Sequence, residues 1–121
     1  MRRVPITGGL FVAALTAVLV VGTPRVVPAQ DAALVAKGQK VYEAQKCQVC
    51  HSIAGKGSKV SPLDGVGSKL SADEIRQWIV DPVAMAKKVN ATKKPPMPKK
   101  YDTLPPGDID ALVAYLQSLK K

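Results

Sequence analysis

The sequence predicts an all-α fold, and three observations support that prediction. Several segments repeat apolar residues at the three-to-four-residue spacing of an amphipathic helix. One segment opens with Ser71 and Glu74 in the Ser-x-x-Glu pattern that caps a helix N-terminus. The connecting segments are rich in glycine and proline and do not alternate polar with apolar residues, so no strand is predicted.

Residues 1–29 have the pattern of a secretory signal. The basic pair Arg2-Arg3 precedes an uncharged, mostly apolar run from Gly8 to Gly22, and Ala29 offers a small residue to a signal peptidase. We expect cleavage after Ala29, export to the periplasm or beyond, and one domain over residues 30–121. An uncleaved membrane anchor is the alternative, because the apolar run is long for a signal and short for a spanning helix.

The first predicted helix of the exported domain runs from Asp31 to Lys46. Gly38 lies on its apolar side and would permit another helix to approach closely. The apolar residues of that side are Leu34, Val35, Val41 and Tyr42. A glycine-rich loop is predicted after residue 54.

The second predicted helix begins at Ser71 and ends or bends at Asp81-Pro82, and a shorter third helix is predicted from Pro82 to Val89. The stretch from Thr92 to Pro106 contains five prolines and is predicted to be an extended loop.

The last predicted helix has acidic residues at its start and lysines at its end, an arrangement that matches the helix dipole. Two starts are possible for this helix: Asp108 could be its N-cap, or Pro106 could already lie in its first turn. One face carries Ile109, Leu112, Val113, Leu116 and Leu119.

The pentapeptide Cys47-Gln48-Val49-Cys50-His51 is a haem-attachment motif. Each thiol can add to one vinyl group of a porphyrin, and His51 can bind the iron from one face. These are the chain's only cysteines and its only histidine. We therefore expect one haem c, attached through Cys47 and Cys50.

Three other interpretations of the motif are weaker. A structural zinc site needs four ligands, and the chain offers three Cys or His side chains. A thioredoxin-like cysteine pair belongs in a βαβ context, which is not predicted here. A structural disulfide would close too short a loop to stabilise the chain much.

In the order of its motifs, the domain resembles small bacterial class I cytochromes c. The resemblance rests on Gly38 and Tyr42, the haem motif, the run Pro62–Gly67, the pair Met97-Pro98, and the closing segment Leu112–Leu116. It implies a helical wrap around one covalently attached haem, with the first and last helices crossing. It also implies that His51 is the proximal iron ligand and Met97 the distal one.

The resemblance assigns two further residues to the haem site. It implies that the Pro62 carbonyl accepts a hydrogen bond from the His51 ring and that Leu63 packs on the haem. Prolines on both sides of Met97 would stiffen its backbone. Met85, in a helical apolar setting, is the competing methionine and is expected in the core.

One departure from the family pattern concerns Tyr42. Such cytochromes usually place the helix aromatic four residues before the first cysteine, and Tyr42 stands five before Cys47. An extra residue turns a helix by roughly 100°, so a bulge or a longer turn must absorb it. The packing of Tyr42 on the last helix is therefore open.

Two protein ligands on the iron would leave no position for a substrate, which favours an electron carrier over an enzyme. The first hypothesis is a shuttle between redox proteins. The alternative is a haem subunit fixed in a larger exported oxidoreductase, for example a sulfur-oxidising or dehydrogenase complex. A third interpretation is a haem iron with a vacant coordination position and peroxidase-like or gas-binding activity. It would require that Met97 not bind the iron.

The charge of the chain favours acidic partners. The full sequence has 18 basic and 9 acidic residues, and from residue 30 onward 15 and 9 remain, a net charge of +6. We expect a monomer whose lysines steer redox proteins with an acidic surface, although a merely solvated loop would have the same composition. Nucleic acid is not expected as a partner, because no pattern of interleaved aromatic and basic residues is present. The lysines around Met97 are Lys87, Lys88, Lys93, Lys94, Lys99 and Lys100.

Overall fold

The structure is a computed structural model that describes residues 29–121. The predicted signal lies outside the described residues, apart from Ala29, and stays a prediction. Within the described part, no helix combines the length and the apolar character that crossing a membrane requires.

The described residues are mostly helical, as the sequence predicts. A 3₁₀ helix at Cys47–Val49 follows the first helix, and three short strands form a small sheet. The α-helices are α1 (Ala29–Ala44), α2 (Val66–Lys69), α3 (Ala72–Val80), α4 (Pro82–Lys88) and α5 (Pro106–Ser118), and the strands are β1 (His51–Ile53), β2 (Lys56–Gly57) and β3 (Ser61–Pro62).

The crossing of α1 and α5 forms the centre of the fold, which confirms the predicted arrangement of the first and last helices. Gly38 is buried at the crossing, and a Cβ atom there would lie 1.9 Å from the carbonyl oxygen of Ala111. Only a glycine allows the two backbones to come this close. The core around the crossing consists of Val41, Tyr42, Ile75, Ile79, Ile109, Leu112, Val113 and Leu116.

The start of α3 has the capping box that the sequence predicts. The Ser71 hydroxyl accepts a hydrogen bond from the Glu74 backbone N–H, and the Glu74 carboxylate accepts one from the Ser71 backbone N–H. Asp81 separates α3 from α4 and caps α4 through the Ala84 N–H. At α5, Pro106 lies in the first turn, which decides between the two predicted caps.

The small sheet and the helix α2 are not predicted from the sequence, because both are very short. The loop after the haem motif contains the sheet, in which β1 pairs antiparallel with β2 and parallel with β3. Strands of two or three residues cannot display an alternating pattern. The four-residue helix α2 likewise falls below the length at which helical periodicity can be recognised.

The extra residue between Tyr42 and Cys47 is absorbed by a left-handed turn. The helix α1 ends at Ala44, and Lys46 adopts φ 56° and ψ 37° before the 3₁₀ helix begins. Tyr42 consequently keeps its place in the core, with its ring 5.8 Å from that of Tyr115 in an edge-to-face arrangement. The question left open by the sequence is thereby answered: Tyr42 packs on the last helix.

Candidate cofactor site

A large cavity of about 1220 Å³ lies beside the α1–α5 crossing. Its size exceeds the roughly 300–1,000 Å³ range common for small-molecule sites. The side chains of Cys47, Cys50, His51 and Met97 all line it. Its apolar walls include Leu63, Leu70, Ile75, Trp78, Ile79, Leu112 and Leu116.

Both cysteines line this cavity, Cys47 on the 3₁₀ helix and Cys50 at the C-cap of that helix. The Cys50 backbone N–H donates to the Cys47 carbonyl, which closes the turn that carries both thiols. Both cysteines are free thiols, Cys47 half-buried and Cys50 exposed. Burial raises the pKa of the Cys47 thiol to about 11, so this thiol is protonated at neutral pH.

The imidazole of His51 is oriented by one hydrogen bond. Its Nδ1 lies 2.9 Å from the carbonyl oxygen of Ser61. A carbonyl can only accept, so Nδ1 carries the proton and Nε2 keeps its lone pair in the neutral ring. Burial lowers the pKa of His51, the Ser61 carbonyl opposes this shift, and the Lys93 charge adds to it. A neutral imidazole with a free Nε2 is the form that binds a metal.

The acceptor of this hydrogen bond differs from the expected one. We expected the Pro62 carbonyl, and that expectation is wrong, because the parallel pairing of β1 with β3 sets His51 opposite Ser61. Pro62 and Leu63 still line the cavity. Their assignment as haem-contacting residues stays a prediction.

The two candidate methionines occupy different places. Met97 is half-buried and lines the cavity, on the proline-rich segment that leads to α5. Met85 is only 4% exposed, lies on α4 and is absent from the cavity wall. The placement favours Met97 as the residue that reaches a bound group and Met85 as a core residue.

The cavity fits a covalently attached haem in its chemistry as well as its size. Two free thiols, an imidazole whose Nε2 makes no hydrogen bond among the described residues, and a thioether all line it. Apolar side chains form most of the remaining lining, as a porphyrin requires. Among the described residues, no cluster of three or more His, Cys, Asp or Glu could hold a bare metal ion.

The mouth of the cavity combines apolar and basic side chains. Val49, Val60 and Val89 line the cavity and remain 68%, 50% and 53% exposed. Lys93, Lys94 and Lys100 line it as well. Three of the six lysines predicted to cluster around Met97 therefore line the cavity, and all six are exposed.

Comparison with known proteins gives two findings. The family model for cytochrome c matches residues 35–120. Subunit 2 of cytochrome c oxidase from Alkalihalophilus pseudofirmus is 27% identical over 93 residues, an alignment that covers 69% of this chain and 25% of that protein. The chain thus spans about a quarter of the length of this relative. No solved structure matches the chain.

Proposed function

This chain belongs to the cytochrome c family of haem-binding electron-transfer proteins, and we propose that it is an exported monohaem carrier of single electrons. In this proposal Cys47 and Cys50 would hold one haem c covalently, and His51 and Met97 would bind its iron. The bound haem supplies one-electron exchange between ferric and ferrous iron.

One observation carries the proposal: the two thiols, the imidazole and the Met97 thioether line the same apolar cavity. Two local features of the backbone position these groups. The 3₁₀ helix presents the thiols, and the Ser61 carbonyl holds the His51 ring with Nε2 free. Histidine and methionine together are a ligand pair that raises the potential of a haem relative to other pairs.

The ligand set also determines the class of activity. A haem iron bound by both His51 and Met97 would have no free coordination position, so a small molecule could bind only by displacing one of these side chains. Because the thioether is the weaker ligand and lies on a loop, Met97 is the residue that must stay in place for pure electron transfer. We therefore propose a carrier rather than a peroxidase or a gas-binding protein.

The partner in this proposal is a redox protein with an acidic surface. The exposed valines at the cavity mouth offer a desolvated contact close to the haem edge, and the surrounding lysines attract negative charge. The test is stopped-flow electron transfer with an acidic and a basic redox protein over a range of ionic strength. The rate with the acidic protein should fall steeply as salt rises, and a rate independent of salt would contradict the docking model.

A second candidate is a haem domain fixed in a larger exported oxidoreductase. The oxidase subunit that matches this chain favours it, since that relative is by name part of a larger complex. Purification from the native membrane and soluble fractions separates the two candidates. A small haem protein recovered alone and as a monomer supports the carrier, whereas stable co-purification with an oxidoreductase supports the fixed domain.

A further inference from the structure

Two consecutive backbone carbonyls accept hydrogen bonds from side chains that line the cavity. The Val60 carbonyl accepts a hydrogen bond from the Lys93 ammonium at 3.0 Å. The next carbonyl, that of Ser61, accepts from His51 Nδ1 at 2.9 Å. Both Lys93 and His51 line the cavity. One short stretch of backbone is therefore bonded to the proximal histidine and to the segment that carries Met97.

We propose that Lys93 is a positioning residue that holds Met97 at the iron by anchoring its loop to the backbone segment Val60–Ser61. This inference rests on the proposed ligation by Met97 and adds a residue to it. Lys93 itself does not touch the iron. It acts through the loop, four residues before Met97.

The Met97 loop needs such an anchor because its own backbone offers few hydrogen bonds. Three prolines, at 95, 96 and 98, remove backbone donors, and residues 92–96 and 98–100 are all exposed. Among the hydrogen bonds and ion pairs of the described residues, two tie segment 92–100 to residues beyond its immediate neighbours. They are Lys93 to Val60 and Lys99 to Asp81.

These two contacts are not equivalent. The Lys99 ammonium lies 3.8 Å from an Asp81 carboxylate oxygen, which is too far for a hydrogen bond. Lys93 donates to a carbonyl at an ordinary hydrogen-bond distance, and charged donors make the stronger hydrogen bonds. Its acceptor is also next to the residue that fixes His51. Lys93 therefore provides the principal anchor.

The test compares Lys93→Gln with Lys94→Gln in the haem-loaded full chain. The two variants lose the same charge from neighbouring positions on the same cavity wall, but only Lys93 makes the contact with Val60. Imidazole is added to the oxidised protein, and its rate of binding reports how often Met97 leaves the iron. The iron–sulfur charge-transfer band reports whether Met97 is bound at the start. Deuterium exchange over peptides spanning 59–61 and 92–101 reports the anchor directly.

We expect imidazole to bind about fivefold faster in Lys93→Gln than in the parent protein, as loss of one modest hydrogen bond implies. Exchange should rise in both peptides, and Lys93→Arg should restore both readouts, since it keeps a charged donor. Lys94→Gln should leave the imidazole-binding rate and the deuterium exchange near those of the parent protein. Equal effects of Lys93→Gln and Lys94→Gln, in a parent that has the band, would overturn the positioning role alone. A parent protein without the band would overturn the ligation by Met97 and this inference together.

Discussion

Gly38 of α1 and Ala111 of α5 are in direct backbone contact, so closely that a Cβ atom on Gly38 would come 1.9 Å from the Ala111 carbonyl oxygen. The same hypothetical atom would lie 2.6 Å from the Tyr115 Cβ. This contact sets the distance between the two helices, and the cavity is bounded by residues of both. The stability of the haem site is therefore tied to the absence of a side chain at position 38.

Gly38→Ala should separate the helices and destabilise the protein by about 3 kcal/mol or more, because backbone atoms cannot move aside as a side chain can. Denaturant unfolding followed by haem absorbance measures this. Gly107→Ala is the matched control, since its new Cβ would meet only the flexible Lys37 ammonium at 3.4 Å. The control should lie within about 0.5 kcal/mol of the parent. Equal midpoints for the two variants would contradict the close crossing.

The buried hydroxyl of Tyr42 should make the free energy of unfolding depend on pH in the alkaline range. This hydroxyl is buried without a hydrogen-bond partner among the described residues, and burial raises the pKa of Tyr42 to about 12. In the unfolded chain the pKa of Tyr42 has its ordinary value of 10.0. The folded state therefore binds the proton of this hydroxyl more tightly than the unfolded state does. The resulting stability is fully present below pH 10 and is lost as the pH rises through the folded value.

Tyr42→Phe should therefore reduce the fall in unfolding free energy between pH 10 and pH 12, and at pH 7 it should leave stability equal or higher, because it removes an unpaired buried hydroxyl. Urea unfolding at a series of pH values measures both effects. Tyr115→Phe is the comparison, since that ring belongs to the same aromatic pair but is more exposed. Marked destabilisation of Tyr42→Phe at pH 7 would show instead that its hydroxyl is bonded in the haem-loaded protein.

The two methionines should respond differently to the same substitution. Met97→Leu removes the thioether from the cavity wall, so the iron–sulfur charge-transfer band should disappear and the reduced protein should bind carbon monoxide readily. Met85→Leu, in the core, should keep the band and cost less than about 1.5 kcal/mol of stability. Optical spectra and urea unfolding measure both. The opposite pattern, with the band lost only in Met85→Leu, would assign the ligand to α4.

Much of the site could be predicted because its chemistry is local in the sequence. The thiols and His51 lie within five residues, and their spacing alone indicates haem attachment. The capping box at Ser71 is likewise a local signal, and the structure contains it. Gly38 could be identified from its position on the apolar side of a helix, although its partner Ala111 could not.

The contacts that were missed depend on the register of distant segments. The acceptor for His51 is Ser61 rather than Pro62 because β1 and β3 pair in one particular register, and strands this short leave no pattern from which to derive it. The hydrogen bond from Lys93 to Val60 joins residues 33 positions apart. A long polar side chain in a loop gives no sequence signal of which carbonyl it will reach.

The most direct test of the central claim is to measure the mass and the optical spectrum of the purified protein in both oxidation states. The account predicts a mass greater than that of the polypeptide by one haem, retained after denaturation, and a c-type spectrum with the iron–sulfur charge-transfer band in the oxidised form. A colourless protein with the mass of its amino acids alone would contradict it.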